Sequence, residues 1–501
     1  MSDGPVCTHN TAAEPGPSQF PTVCRTDLIF PVMFSPSTYP RRRRTLLNAE
    51  QLESGLILLL GNEQTAMNYR DNPYPFRQDS SFLYYFGIDV PGLDGVLDID
   101  RGTACLYGDD PSLDDVVWMG ERPSVREYAE QARVSTVASR SALQEDLTDA
   151  LAADRSIHVL PPYRSNHYLR LNDLLNVPPT HADAYASDAL VHAVVDQRLR
   201  KSEAEVEQLE AALETTAQMH EYAMQAATPG ITEREVAGGL TGIAEKKGRG
   251  LSFRPTCSVH GEVLHNHEYS NELREGDLLL VDAGAASPLH YAGDITRVTP
   301  VSGSFTARQR AIYEAVLDAE TTAIDAIEPG VPFRDLHLLA AHVLTEHLID
   351  IGLMKGDVNE AVAAGAHALF FPHGLGHMLG LDTHEMENLG EDVVGYAPDQ
   401  ERSEQFGLHT LRLARPLEPG FVATVEPGCY FIPELIRRWR EDGRHDAFIN
   451  YDAVADFIGF GGIRIEDDVL VTDEGVRILG PGIPKTVDSV EEHAGAAPIK
   501  S

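Results

Sequence analysis

Five side chains with metal-binding chemistry stand in four short segments of the second half of this sequence, and any fold it adopts has to gather them. The segments read VDAGAASPLHYAGD (281–294), FFPHGLGHMLGLDTHE (370–385), TVEPGCYF (424–431) and GGIRIEDD (461–468). The ordered set is Asp282, Asp294, His377, Glu426 and Glu466. Four carboxylates and one imidazole suit a pair of divalent metals, because each ion needs several hard oxygen ligands and carboxylates can bridge both. Two metals sharing a water make hydroxide near neutral pH. The set therefore points to a two-metal hydrolase.

Each segment also has a plainer reading. Asp282 follows LLLV, a buried-strand signature, and a bare buried charge there needs a partner. Asp294 lies beyond a turn-rich stretch, so a hairpin can bring the two together, but taken alone they read more simply as turn aspartates. His373 and His377 have helical spacing for a zinc pair, yet Pro372, Gly374 and Gly376 make a helix poor, and no HExxH occurs. A tight loop with one His as ligand and one facing substrate fits better, and His384 adds a third imidazole. Glu426 closes an apolar strand at Pro-Gly. Arg464 and Glu466 alternate with Ile463 and Ile465, so they share one face. Arg464 by itself is also consistent with a structural ion pair.

The 501-residue chain has room for two domains. It carries 77 Asp+Glu against 40 Lys+Arg, a net charge of −37, and only six of the cations are Lys. Such acidity, spread along the chain, argues against nucleic acid and anionic membranes as partners. It suits a protein that stays hydrated at high salt. Five scattered cysteines without a CxxC make a reducing cytoplasm the default. No stretch approaches a membrane span, and no basic-then-apolar signal pattern opens the chain.

Residues 1–32 are rich in Pro, Ser, Thr and Gly and read as a disordered leader, with Met33 as an alternative start. Arg41 to Arg44 read as a solvated first helical turn rather than a nucleic-acid patch. From 33 to 180 short apolar runs such as LILLLG, GVLDID and IHVLPP alternate with helical stretches, which reads as a small α/β domain. Leu169 to Tyr185, with Pro178-Pro179, reads as a linker. A second domain spans 190–485, and 486–501 is a flexible tail. Within it, Ser202-x-x-Glu205, Thr232-x-x-Glu235 and Thr306-x-x-Gln309 are helix-start patterns. Strands are expected at 278–284 and 290–298, helix through 311–365, and strands again over 421–480. Helices segregated from strands make this domain α+β.

The four segments together resemble those of the Xaa-Pro-cleaving pita-bread metallopeptidases, aminopeptidase P and prolidase. The stretch NYRDNPYPFRQDSSFLYYFG (68–87) is similar to their non-catalytic domain. The resemblance implies an α+β pita-bread catalytic domain preceded by a smaller α/β domain. It also implies two divalent metals, most often Mn²⁺. Asp282 would bind one metal, His377 and Glu426 the other, and Asp294 and Glu466 both. A hydroxide shared by the metals would attack the carbonyl before proline, with Glu426 handling protons. His265 would face substrate, His373 line the proline pocket, and His384 stabilise the oxyanion. Arg464 would brace the ligands, with Tyr430 near the site. Proline-containing peptides are the implied partners, and a homo-oligomer, dimer or higher, is expected.

Three functions compete. The leading one is an aminopeptidase releasing the residue before an N-terminal Xaa-Pro bond, favoured by the look of the N-terminal half. A prolidase restricted to dipeptides is next, because Arg412 in TLRLARPLEPG matches the arginine that grips the dipeptide carboxylate. A non-catalytic peptide-binding relative is the most remote, since all five ligands and the site histidines stand.

Overall fold

The computed structural model describes residues 34–495. The expected leader, 1–32, lies outside the described residues. Leu56–Leu60 is an inner strand of a five-stranded mixed sheet, antiparallel to Asp94–Asp98 and parallel to Ile157–Val159. Thr103–Tyr107 and Thr136–Ala138 complete it. The run LILLL is apolar throughout because both faces are covered. Leu56 and Leu58 pack with Leu143, Leu147, Leu171 and Leu174, whereas Ile57 and Leu59 join Leu46, Phe82 and Phe86.

Three expectations change here. Residues 169–185 are not a linker: most of them belong to helices Ser165–Leu175 and Ala182–Tyr185, and Leu171, Leu174, Leu175 and Ala182 are buried on the sheet. Pro178-Pro179 only breaks the helices apart. The four arginines lie on helix Thr38–Leu47, but just two of them are solvated. Arg42 and Arg43 are buried. Arg42 donates to the Tyr84 carbonyl at 3.1 Å, lies 3.2 Å from Glu205 and stacks on the Tyr84 ring. Arg43 donates to the carbonyls of Tyr85 and Ala132, both at 2.8 Å. A charged repeat gave no sign that two of its members would find enough acceptors to be buried. The tail also differs: helix Val487–His493 buries Val487 and Val490 in the main core, so chain order runs past 485. Residues 496–501 lie outside the described residues.

In the second half, the capping boxes at Ser202, Thr232 and Thr306 open helices Glu203–Ala226, Glu233–Lys247 and Ala307–Asp325. Their acidic or amide side chains satisfy free amides of the first turn. Strands Thr256–Ser258, Leu278–Ala283 and Ile295–Pro300 form one antiparallel sheet. Val422–Val425, Asp467–Thr472 and Gly475–Ile478 form another, and Gly428–Tyr430 pairs with Gly462–Arg464. The 421–480 region is not all strand, because helices Pro433–Glu441 and Tyr451–Ala455 interrupt it. Single bridges, Thr296 to Glu466 and Met378 to Ala423, tie the sheets and the glycine-rich loop together. Those bridges bring the four segments to one place.

Candidate functional site

Asp282 is the fifth residue of strand Leu278–Ala283 and pairs with Thr296 across the sheet. Asp294 immediately precedes strand Ile295–Pro300, so the hairpin returns it beside Asp282. The turn needs glycine at 284, where a Cβ would sit 1.7 Å from the Gly293 carbonyl oxygen. Asp294 is fixed by its own amide, which donates to Asp468 Oδ2 at 3.1 Å.

His377 lies in a loop, not a helix. Gly376 lets the loop press on the next strand, because a Cβ there would be 2.0 Å from the Thr424 carbonyl oxygen. The His377 amide donates to Thr424 Oγ1 at 3.1 Å, and the Thr424 amide donates back to the His377 carbonyl at 3.0 Å. The imidazole Nδ1 lies 3.1 Å from the Met378 carbonyl, which places the proton on Nδ1 and leaves Nε2 as an acceptor. Nε2 faces Asp294 at 3.4 Å and Glu426 at 3.7 Å. Glu426 follows strand Val422–Val425 and its amide donates to Leu375. Glu466 follows strand Gly462–Arg464, and Thr296 Oγ1 donates to its carboxylate at 2.5 Å.

The residues present fit divalent cations. One ligand atom each from Asp294, His377 and Glu466 lies within 4.8 Å of the others. Asp282 keeps one buried oxygen with no hydrogen-bond partner. Burial, reinforced by Asp282, holds the Asp294 carboxyl well above the usual carboxylate range, and burial with Asp294 and Glu426 does the same to Glu466. Burial pushes Glu426 up to about 7. Clustered buried carboxylates of this kind call for positive charge between them, which bound cations supply.

Arg464 organises the back of the site. It donates to Asp282 at 2.5 Å, to Thr296 Oγ1 at 3.0 Å and to the Tyr430 hydroxyl at 3.0 Å. Tyr430 in turn lies 2.8 Å from His373 Nε2, while His373 Nδ1 lies 2.8 Å from the Gly374 carbonyl. The proton order is therefore Arg464 to Tyr430 to His373. Burial, then Arg464, lowers His373 to about 3, so its ring is neutral. His265 is lowered as well, chiefly by burial. His384 packs against His377, ring centroids 4.2 Å apart, and its Nδ1 lies 3.0 Å from Glu387 Oε2. Glu387 also pairs with Arg412, which lies 3.3 Å from Glu391.

His265, Asp282, Asp294, His373, His377, His384, Arg412, Glu426, Arg464 and Glu466 all line one cavity of about 910 Å³. Pro75, Phe76 and Arg77 of the N-terminal domain form part of its wall. Tyr430 is the exception. It is fully buried behind His373 and Arg464, and so touches the lining rather than the cavity. Sequence reasoning missed Thr296, Thr424, Asp468 and Glu387. Glu387 stands three residues after His384, a spacing that signals a partner. The two threonines carry no such signal, because strand register alone brings them in.

The sequence profile of the aminopeptidase P N-terminal domain matches residues 39–159. That of metallopeptidase family M24 matches 207–473. A curated relative, the Xaa-Pro dipeptidase of Homo sapiens, is 33% identical over 449 residues, covering 87% of this chain and 88% of that protein. The Pseudomonas aeruginosa aminopeptidase PepP superposes with a TM-score of 0.76 at 30% identity, covering 93% of this chain and 99% of its own. Zinc-substituted Escherichia coli aminopeptidase P in complex with product gives 0.76 at 28%, covering 94% and 100%. An aminopeptidase P-like N-terminal domain and a family M24 catalytic domain thus account for most of the sequence, and the chain belongs to metallopeptidase family M24, among its Xaa-Pro aminopeptidase and prolidase members.

Proposed function

We propose that this chain is an Xaa-Pro aminopeptidase, hydrolysing the bond between an N-terminal residue and the proline that follows it in peptides longer than two residues. The carrying observation is the cavity. At about 910 Å³, with the N-terminal domain in its wall, it is at the upper end of ligand pockets and offers space beyond a dipeptide. The dipeptidase reading rests on Arg412 and on the human relative. Against it, the Arg412 guanidinium already pairs with Glu387 and Glu391.

In this reading Asp282, Asp294, His377, Glu426 and Glu466 hold two divalent ions, with Mn²⁺ the native choice. When bound, such a pair supplies Lewis acidity and lowers the pKa of water. Glu426 accepts the proton of the attacking water and returns it to the departing proline nitrogen. His384, whose Nδ1 lies 3.0 Å from Glu387, serves as a neutral or charged donor to the developing oxyanion. His373 and His265 flank the proline ring. Tyr430 orients His373, and Arg464 holds Asp282 in place.

The domain limits 33–180 and 190–485 belong to the same reading, with the end of the second extended to 493 by the last helix. So does assembly of copies, supported by helix Leu113–Met119, which buries none of its residues and leaves Trp118 82% exposed. A cytoplasmic setting is supported by Cys105, Cys257 and Cys429 being free. Among the described residues no helix is long and apolar enough to cross a membrane.

Rates on Gly-Pro and on a longer Xaa-Pro peptide, for Mn²⁺-loaded enzyme and Arg412→Ala, test the choice. The longer peptide should have the higher kcat/KM, and Arg412→Ala should affect both substrates alike. A KM rise confined to the dipeptide, by the 10-fold or more that follows losing about 2 kcal/mol of buried charged hydrogen bonding, would make the enzyme a prolidase.

A further inference from the structure

The motif at 68–87 has no part in metal binding, yet its end reaches the site. Asp79 caps helix Ser80–Phe86 by accepting from the Phe82 amide, which fixes Ser80 in the first turn. From there Ser80 Oγ donates to Asp382 Oδ1 at 2.6 Å. Arg77 donates to the Leu381 carbonyl at 3.0 Å and lies 3.4 Å from the same Asp382 oxygen. The other Asp382 oxygen lies 3.5 Å from Arg198, which is 3.0 Å from Glu385 and donates to Ser81 Oγ at 3.2 Å. Glu385 closes the circuit by accepting from the Asp382 amide at 3.0 Å. Arg198 and Glu385 are both buried.

His384 lies between these two acids. Residues 379–386 form neither helix nor strand. Backbone bonds from Glu385 to Met378 and from Glu387 to His384 hold the loop, and the imidazole packs on His377; its direction is set further by Glu387 and, through the loop, by its flanking acids. One of those acids, Asp382, takes its Ser80 and Arg77 contacts from the other domain.

We infer that Asp382 is a positioning residue, through which Ser80 and Arg77 of the N-terminal domain set the reach of His384 toward the scissile carbonyl. This rests on the oxyanion role proposed for His384. Without the Ser80 bond the loop keeps its fold through Arg198 and Glu385, but His384 samples directions away from the carbonyl. The loss then falls on turnover rather than on substrate affinity, because the imidazole acts on charge that develops only in the transition state.

The test is a double-mutant cycle in full-length, Mn²⁺-loaded enzyme with a longer Xaa-Pro peptide. Ser80→Ala should lower kcat about 10-fold with KM and metal content unchanged, and Ser80→Thr, which keeps the hydroxyl, should restore most of it. In a His384→Ala background the same Ser80→Ala change should cost less than about twofold. Asp382→Asn, which keeps an acceptor for Ser80 but gives up the charge facing both arginines, should follow the same pattern. Equal losses in the two backgrounds, or no loss from Ser80→Ala, overturn the inference while leaving the peptidase reading intact. A normal kcat in His384→Ala alone overturns the role of His384, and the inference with it.

Discussion

Replacing Tyr430 by Phe deletes one oxygen and keeps the ring, so the core around it stays filled. That oxygen accepts from Arg464 Nη1 at 3.0 Å and donates to His373 Nε2 at 2.8 Å. Arg464 and Tyr430 are buried, and His373 is half-buried at the cavity edge. Tyr430→Phe therefore strands a guanidinium N–H and leaves an imidazole nitrogen unpartnered. The stranded buried guanidinium N–H costs up to about 3 kcal/mol, while the half-buried imidazole can take water from the cavity, so about 2–3 kcal/mol of stability should go. Turnover should suffer as well, because His373 loses the bond that sets its ring angle. A displacement of about 1 Å costs up to 100-fold in a positioned site, and kcat/KM should fall by about 10- to 100-fold. Metal content should not change, since Tyr430 binds no ligand directly. Urea unfolding of metal-loaded enzyme gives the first quantity and steady-state kinetics the second. Wild-type stability with a raised KM and unchanged kcat would refute the reasoning, for it would mean that the hydroxyl faces substrate and not the wall.

Three further outcomes are expected. Dialysis against a strong chelator should abolish activity and lower the melting temperature, because the carboxylate cluster is left to repel itself; Mn²⁺ should restore both better than Mg²⁺, which sheds its waters reluctantly, and full activity in metal-free enzyme would remove the two-metal basis. His367 is fully buried with both ring nitrogens unpartnered, and burial lowers it to about 4 from the usual 6.5. The unfolded chain thus binds a proton that the folded one refuses between those values, so this residue's contribution should be full above pH 6.5 and fall by about 3 kcal/mol toward pH 4; His367→Leu should make the acid loss of stability shallower by about that amount, with other buried histidines such as His373 supplying the rest, measured by urea unfolding across the range. Raising KCl from about 0.05 to about 2 M should raise the melting temperature at constant metal, because a net charge of −37 repels itself until the Debye length shrinks to ~3 Å; a flat or falling curve would make the acidity incidental.

The candidate metal ligands were legible because their chemistry is local: a carboxylate ending an apolar strand is costly unless something compensates it. Helix starts were legible for the same reason, since Ser202, Thr232 and Thr306 each find their capping partner three residues on. What lay hidden depends on distant residues. Nothing near Arg42 announces Glu205, and nothing near Ser80 announces Asp382. The linker reading of 169–185 failed because two prolines outweighed leucines at 171, 174 and 175, whose helical spacing was the better guide. Tyr430 was placed near the site by its position in sequence, but strand pairing with Gly462 turns it to the wall.

The Arg42–Glu205 pair has a bearing on how this protein can be cut and made. The arginine comes from the first helix of the N-terminal domain and the glutamate from the first turn of a catalytic-domain helix, and both are buried. A catalytic fragment starting near residue 190 would retain Glu205 but lose Arg42, keeping Lys201 as a cation acting on it. The fragment would expose Glu205 to water and lose the contribution of a buried pair. It would also bare Leu190, Val191 and Val194, which share one continuous core with Phe82 and Phe86. The halves are thus inseparable in practice: expressed alone, neither should be soluble, and shuffling the N-terminal domain between homologues should succeed only where this ion pair travels with it.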